Sequence, residues 1–267
     1  MIALIAGTGA LPGLLADALV AAGEPPVICE MAGFGPDVRA DLPRLRFRIE
    51  TLGTLLQDLK SLGVTRICMA GAMRRPQIDR AAIDPLTAPL VPQLTAALAK
   101  GDDGTLRGII ALFEDHGFAI VGADQILARL LPDAGIWTEV PVGPAGHTDA
   151  LVGLAEIAAM GRADTGQACV IREGRVIARE DAAGTDAMLQ RLAADPVSSR
   201  AGILFKAPKP RQDRRADLPV IGPATAMLAA AAGLAGIIIQ AGGVMVIDLP
   251  QVVTVLNRQG MFLWVRP

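Results

Sequence analysis

Short apolar runs that alternate with helix-length segments constrain the first half of this chain more than any other feature. The predicted strands are residues 2–6, 26–30, 46–49, 64–70 and 118–121, and the predicted helices are residues 12–22, 53–62, 87–99 and 105–116. Strands separated by helices form βαβ units, because parallel neighbours need a long crossover between them. The pattern predicts an α/β fold whose N-terminal domain is Rossmann-like, with a mainly parallel sheet.

The second half mixes strand types. Residues 168–172 and 175–179 flank Glu173 and Gly174, a two-residue loop typical of a β-hairpin. Further strands are predicted at residues 201–207, 236–240, 244–247 and 262–265, and helices at 149–160, 186–194, 223–232 and 251–258. A stretch rich in Pro and Gly precedes them. We predict a nucleotide-binding domain at 1–131, a linker at 132–146 and a C-terminal mixed α/β domain at 147–267.

Composition excludes several classes of protein. No apolar run reaches the ~18 residues that a membrane span needs. The apolar start at residues 2–6 has no basic segment and is interrupted by Gly7, so we expect no secretory signal and a cytoplasmic protein. A net charge of −2 argues against nucleic-acid binding. Three widely spaced cysteines in apolar surroundings favour buried structural thiols.

A glycine-rich turn follows the first predicted strand. It consists of Gly7, Thr8, Gly9, Ala10, Leu11 and Pro12, and it leads into a helix. Such a turn brings backbone amides close to a phosphate at a helix start. The third Gly of a dinucleotide fingerprint is displaced by one position, so a tight structural turn explains the pattern equally well. Glu30, at the end of the second strand, could contact a ribose, which keeps an NAD(P)-dependent oxidoreductase as an alternative.

Three further segments combine helix starts with polar side chains. Asp102 and Asp103 follow Gly101, and Thr185 and Asp186 follow Gly184. Acids and hydroxyls at these positions cap helices, but they also bind ribose, phosphate or Mg²⁺. Thr225 lies in a third such start, after Gly222, Pro223 and Ala224.

A basic loop completes the candidate chemistry. It carries Lys206 and Lys209 among prolines and runs through Asp213 to Arg215. A solvated charged loop is the simplest explanation, yet cations held rigidly by proline also suit a diphosphate. Together with three helix starts, the loop predicts an anionic ligand.

Several segments together resemble the LpxI family. They are residues 5–12, 101–107, 117–122, 184–188, 206–213, 217–223, 232–236 and 240–243, which span nearly the whole chain in the same order. The resemblance implies a Mg²⁺-dependent hydrolase that splits UDP-2,3-diacylglucosamine into UMP and 2,3-diacylglucosamine 1-phosphate (lipid X). It also implies a homodimer, a cytoplasmic enzyme with peripheral contact to the inner membrane, and acyl chains held by apolar walls of the C-terminal domain.

The resemblance also assigns residues to roles. Nucleotide or substrate contacts are expected from Gly7, Thr8, Gly9, Ala10, Leu11, Pro12, Gly71, Ala72, Met73, Asp102, Asp103, Gly122, Ala123, Gly184 and Thr185. Catalytic roles are expected for Asp186, Lys206, Lys209, Asp213 and Thr225, with Asp186 as the metal ligand and Asp217 as a reserve carboxylate.

One position departs from the family pattern. The family carries an acid, typically Asp, between the Pro and Thr of this helix start, whereas this chain has Ala224. An acid there could hold Mg²⁺ or orient the attacking water, and Ala can do neither. We hypothesise that the chain is an inactivated variant that traps substrate, which leaves a non-catalytic lipid-nucleotide-binding protein as a second alternative.

Overall fold

The computed structural model describes residues 1–73, 76–194, 200–210, 212–215 and 217–267, and these residues divide into two compact units. The first unit comprises Met1–Ala128 and Asp213–Asp217, and the second comprises Arg129–Gln212 and Leu218–Pro267. The chain therefore returns to the first unit for five residues, which sequence reasoning did not anticipate.

The first unit is a parallel sheet with helices on both faces. Its strands are β1 (Ile2–Ala6), β2 (Val27–Met31), β3 (Arg44–Phe47), β4 (Arg66–Ala70) and β5 (Ala119–Ile120); its helices are α1 (Leu11–Ala21), α2 (Leu52–Ser61), α3 (Val91–Leu98), α4 (Asp102–Asp115) and α5 (Ala123–Ile126). The strand order is β3-β2-β1-β4-β5, with every pairing parallel. The predicted Rossmann-like parallel sheet is confirmed, and the structure adds its strand order, which reverses between β1 and β4.

Alternation along β1 explains the two layers of this unit. Ala3 and Ile5 pack in one cluster with side chains of α2, α3 and α4. Ile2 and Leu4 are equally buried and point to the opposite face, because successive side chains of a strand alternate. A strand buried on both faces needs the continuous apolar run that marked it in the sequence.

The second unit is built on a mixed sheet. Its strands are β6 (Gly135–Ile136), β7 (Ala168–Arg172), β8 (Arg175–Arg179), β9 (Ile203–Lys206), β10 (Val220–Ile221), β11 (Gly236–Gln240), β12 (Met245–Val246) and β13 (Phe262–Arg266); its helices are α6 (Pro144–Ala163), α7 (Gly184–Ala193), α8 (Pro223–Ala231) and α9 (Leu249–Arg258). Six strands form the sheet β6-β13-β11-β9-β7-β8, and β10 pairs with β12. β9, β11 and β13 are parallel, whereas β6, β7 and β8 add antiparallel pairs. The predicted mixed α/β domain and its hairpin are confirmed.

The segment predicted as a linker is structured. Strand β6 pairs with β13, and the Leu263 amide donates to Thr138 Oγ1 at 2.8 Å. The Glu139 amide donates to Asn257 Oδ1 at 2.9 Å, and α6 already begins at Pro144. The structure therefore differs from the expected linker at 132–146. Its Pro and Gly residues suggested a linker, but Pro144 occupies the first turn of α6, where proline is well tolerated.

The three cysteines are buried, as expected. Burial raises the pKa of the thiols of Cys29, Cys68 and Cys169 to about 12. Because the thiolate is the reactive form, these side chains act as small core residues rather than nucleophiles.

A buried carboxylate stabilises the first unit in a pH-dependent way. Glu50 is 2% exposed and accepts hydrogen bonds from Arg48 Nε at 3.0 Å and from the Asp79 amide at 2.8 Å. The bond from Arg48, opposed by burial, lowers the pKa of Glu50 from 4.5 to about 2. The ionised form is thus favoured in the folded chain.

We expect the free energy of unfolding to fall as pH drops from 4.5 towards 2, by up to about 3 kcal/mol from this group. The sign follows because the folded pKa lies below the unfolded one, so the stabilisation is complete only above 4.5. Urea unfolding of Glu50→Gln across this range should show a shallower pH dependence. Glu24→Gln, which alters an exposed ion pair with Arg66, is the control and should leave the profile intact.

Candidate functional site

A buried lysine organises a polar cluster in the second unit. Lys206 is the last residue of β9 and only 5% exposed. Its Nζ donates to Thr185 Oγ1 at 2.8 Å and to the Val220 carbonyl at 3.0 Å. The ends of parallel strands are where α/β folds bind ligands. Lys206 is therefore held at such an end by bonds to α7 and β10, and its catalytic role stays a prediction.

A carboxylate that sequence reasoning missed extends this cluster. The Thr185 hydroxyl donates to Glu180 Oε1 at 2.5 Å while it accepts from Lys206. Glu180 Oε2 accepts from the Gln167 amide at 2.7 Å. The arrangement leaves Thr185 one orientation, since its single proton points at Glu180. The only signal in the sequence was an acid between a strand and the Gly184 helix start.

Two helix starts meet beside this cluster. Asp186 lies in the first turn of α7, and Thr225 lies in the first turn of α8. Thr225 Oγ1 donates to Asp186 Oδ1 at 3.4 Å, which joins the two starts. Asp186 and Ala224 are exposed, whereas Thr225 is buried. The structure thus brings together Thr185, Asp186, Lys206 and Thr225. Because first-turn amides and helix dipoles attract anions, this setting suits a phosphate.

Thr185 does not cap α7, so the purely structural alternative to its predicted ligand-binding role does not hold. The α7 helix begins at Gly184, with Ala183 preceding it, so Thr185 is the second helical residue. Its side chain is only 7% exposed and accepts a hydrogen bond from Lys206, because the buried ammonium group needs a partner. Gly184 adopts a φ of +88°, which glycine tolerates without strain.

Two further cations of the basic loop, Lys209 and Arg215, form ion pairs. Lys209 Nζ lies 2.5 Å from Asp164 Oδ1. Asp213 belongs to the first unit, where it accepts two hydrogen bonds from the Arg215 guanidinium, and Arg215 also binds Glu114. The bonds from Arg215 lower the pKa of Asp213 below its usual value. A carboxylate so stabilised is a weak base, and its catalytic assignment stays a prediction that the geometry does not favour.

The first backbone amides of the glycine-rich turn are hydrogen-bonded within the first unit. Gly7 N donates to the Ala70 carbonyl at 2.8 Å, and Thr8 and Ala72 exchange backbone hydrogen bonds at 3.0 and 2.9 Å. A Cβ on Gly7 would lie 2.5 Å from the Ala72 oxygen, so glycine is required here by close approach. The amides of Gly7 and Thr8 are therefore occupied, and the nucleotide contacts expected of this turn stay a prediction.

What remains for a ligand is the start of α1. Thr8, Gly9 and Ala10 are exposed, whereas Leu11 and Pro12 are buried. First-turn amides of a helix have no partner within the helix, although Pro12 contributes none. This start lies at the reversal between β1 and β4, beside Gly71, Ala72 and Met73, where doubly wound folds bind nucleotides.

The acidic pair at α4 is explained by helix chemistry. Asp102 and Asp103 are the first two residues of α4, next to the positive end of its dipole. Asp103 forms an ion pair with Arg107 one turn later. The side chain of Asp102 lies outside the part of the chain that the structure describes. Gly122 precedes α5, where its amide donates to Gln125 Oε1 at 3.0 Å, and Ala123 is buried as the first residue of that helix.

The described residues contain neither a cluster of potential metal ligands nor a helix that could span a membrane. Among the described residues, no three His, Cys, Asp or Glu side chains come together in a way that could hold a metal ion. Within the same residues, no helix combines the length and apolarity needed to cross a bilayer.

The NAD(P)-dependent oxidoreductase alternative needs Glu30 to contact a ribose, but this carboxylate lies between two arginines. Glu30 Oε2 lies 3.5 Å from Arg44 Nη1 and 3.6 Å from Arg46 Nε, both on the adjacent strand β3. A carboxylate engaged by two guanidinium groups is poorly available to a ribose.

Comparison with known proteins covers both units. The model of the LpxI N-terminal domain matches residues 1–130, and the model of the LpxI C-terminal domain matches residues 133–264. The chain is also 37% identical over 266 residues to a protein of Caulobacter vibrioides named UDP-2,3-diacylglucosamine pyrophosphatase LpxI. That alignment covers 97% of this chain and 95% of the relative.

Proposed function

Since this chain belongs to the LpxI family, we propose that it hydrolyses the pyrophosphate bond of UDP-2,3-diacylglucosamine in lipid A biosynthesis. Water adds to one phosphorus and the bridging oxygen leaves with the other. The products are UMP and 2,3-diacylglucosamine 1-phosphate. Two observations support this: the name of the relative, and the buried Lys206 ammonium group bonded to Thr185 at the start of α7.

The second unit supplies the electrostatics of the reaction. Phosphoryl transfer needs charge stabilisation on non-bridging oxygens and on the leaving group. The Lys206 ammonium group is held by Thr185 and the Val220 carbonyl, so it loses little freedom when a phosphate binds. Glu180 is proposed as a positioning residue, because it fixes the Thr185 hydroxyl that holds Lys206.

The first unit is proposed to bind the UMP half. The exposed turn at Gly9 and Ala10 opens α1 at the reversal of the strand order. The amides that follow are suited to the phosphate nearer uridine. Gly71, Ala72 and Met73 are proposed to border the nucleotide from the neighbouring strand.

Mg²⁺ is proposed as the cofactor, with Asp186 as its protein ligand. Mg²⁺ is commonly held by one or two carboxylates together with substrate phosphates and water, and Asp186 is an exposed carboxylate at the joined helix starts. When bound, Mg²⁺ would neutralise charge on the diphosphate. Because residue 224 is Ala, it adds no second carboxylate beside Asp186. We therefore propose that turnover is slow and that the substrate is retained.

The remaining features of the proposal follow from the family. We propose a cytoplasmic homodimer that meets its lipid substrate peripherally at the inner membrane. A non-catalytic lipid-nucleotide-binding protein is the second candidate, and Ala224 is the observation that favours it.

The proposal is tested by ligand stabilisation and product release. UDP-2,3-diacylglucosamine should raise the melting temperature of the protein, because a ligand that binds only the folded chain stabilises it. NAD and NADP should not. Slow release of UMP in the presence of Mg²⁺ identifies the hydrolase, whereas stabilisation without any UMP identifies the binding protein. A shift with nicotinamide cofactors alone would overturn both.

A further inference from the structure

The first unit contains an apolar cavity of about 350 Å³. Ile5, Met31, Phe47 and Met69 line it from the carboxyl-terminal parts of β1 to β4, and Met73 lines it after β4. Its volume falls at the lower end of the range of ligand pockets in proteins.

Several polar groups around the cavity already have hydrogen-bond partners. Among the described residues that line it, the polar side chains are Thr105 and Asp217. Thr105 Oγ1 donates to the Ala97 carbonyl at 3.1 Å. The backbone groups of Ala70 and Ala72 that face the glycine-rich turn are paired with Gly7 and Thr8. A nucleobase placed here would leave its polar edges poorly paired, which is costly in an apolar site.

The lining suits a hydrocarbon chain. Helix α4 contributes Leu106, Ile109 and Phe113, which face the strand side chains across the cavity. Three methionines, Met31, Met69 and Met73, add flexible apolar surface that adapts to irregular shapes. Each methylene moved from water into such a lining favours binding by about fourfold.

We propose that this cavity receives one acyl chain of the diacylglucosamine substrate, an inference that rests on the proposed function. It places lipid recognition in the same unit as the nucleotide turn, since Gly71, Ala72 and Met73 border both. It also differs from the expectation that the C-terminal domain alone holds the acyl chains.

The test fills the cavity and measures binding. Leu106→Trp should weaken binding of long-chain UDP-2,3-diacylglucosamine by about tenfold or more, because the indole ring excludes at least two acyl-chain methylenes from the cavity. Binding of the dibutyryl form should change by less than about twofold, since its short chains do not reach the lining. Fluorescence of cis-parinaric acid, a hydrocarbon probe without nucleotide, should be lost in parallel. Leu106→Ala enlarges the cavity and should shift preference towards longer chains, which keeps the test valid if the Trp variant folds poorly.

The matched control is Leu62→Trp. Leu62 is 45% exposed at the end of α2, towards the opposite edge of the sheet. Unchanged binding of long-chain substrate and parinaric acid in Leu106→Trp would overturn the assignment of the cavity. Loss of long- and short-chain binding to the same extent would also overturn it. Parinaric acid binding that depends on Leu106, in a wild type that binds no UDP-lipid, would instead reject the proposed function and leave the cavity a hydrocarbon site.

Discussion

Ala224→Asp should raise the rate of UMP release from UDP-2,3-diacylglucosamine by about 10²-fold or more, the scale of one electrostatic group in a preorganised site. Residue 224 is exposed in the first turn of α8, whose start is joined to Asp186 through Thr225. A carboxylate there adds the second acid that a Mg²⁺ site with one protein ligand lacks. The substitution should not harm folding, because an acid in the first turn of a helix interacts favourably with its dipole.

The measurement is UMP release under single-turnover conditions with and without Mg²⁺. Ala224→Asn is the matched control, since it has nearly the same shape without the charge, and it should gain little. The rate of Ala224→Asp should fall to the level of the parent chain when Mg²⁺ is chelated. Equal rates for the parent and the Asp variant would refute the proposed role of this position.

Lys206→Met, made together with Ala224→Asp, should reduce the rate of UMP release by about 10²- to 10³-fold, as loss of one preorganised donor does elsewhere. The Lys206 ammonium group is the buried positive charge of the polar cluster, so methionine keeps the length and removes the charge. Leaving the Val220 carbonyl and the Thr185 hydroxyl without the Lys206 donor should also cost about 1–3 kcal/mol of stability.

A control separates these two effects. Lys60→Met removes an exposed cation at the end of α2 and should alter neither the rate nor the melting temperature appreciably. Rates are therefore compared at a temperature well below the melting transition of the Lys206 variant. If the folded Lys206→Met protein retained the rate of its parent, Lys206 would be a structural lysine rather than a catalytic one.

The sequence by itself determined the buried parallel sheet of the first unit and the hairpin of the second. β1 is apolar at every position because it is buried on both faces, and that is visible without a partner strand. Glu173 and Gly174 placed the hairpin correctly because both adopt positive φ, which the loop requires. Such features depend on neighbours within a few residues, so local patterns are enough to predict them.

Only the tertiary structure decided which polar groups are available to a ligand. Thr8 looked like a phosphate contact, but its amide is taken by Ala72, 64 residues away in the chain. Asp213 looked catalytic, but Arg215 neutralises it. Conversely, Lys206 gained Thr185 and, through it, Glu180, which no pattern had singled out. A buried polar group must find a partner wherever the fold brings one, so its role is set by contacts distant in sequence.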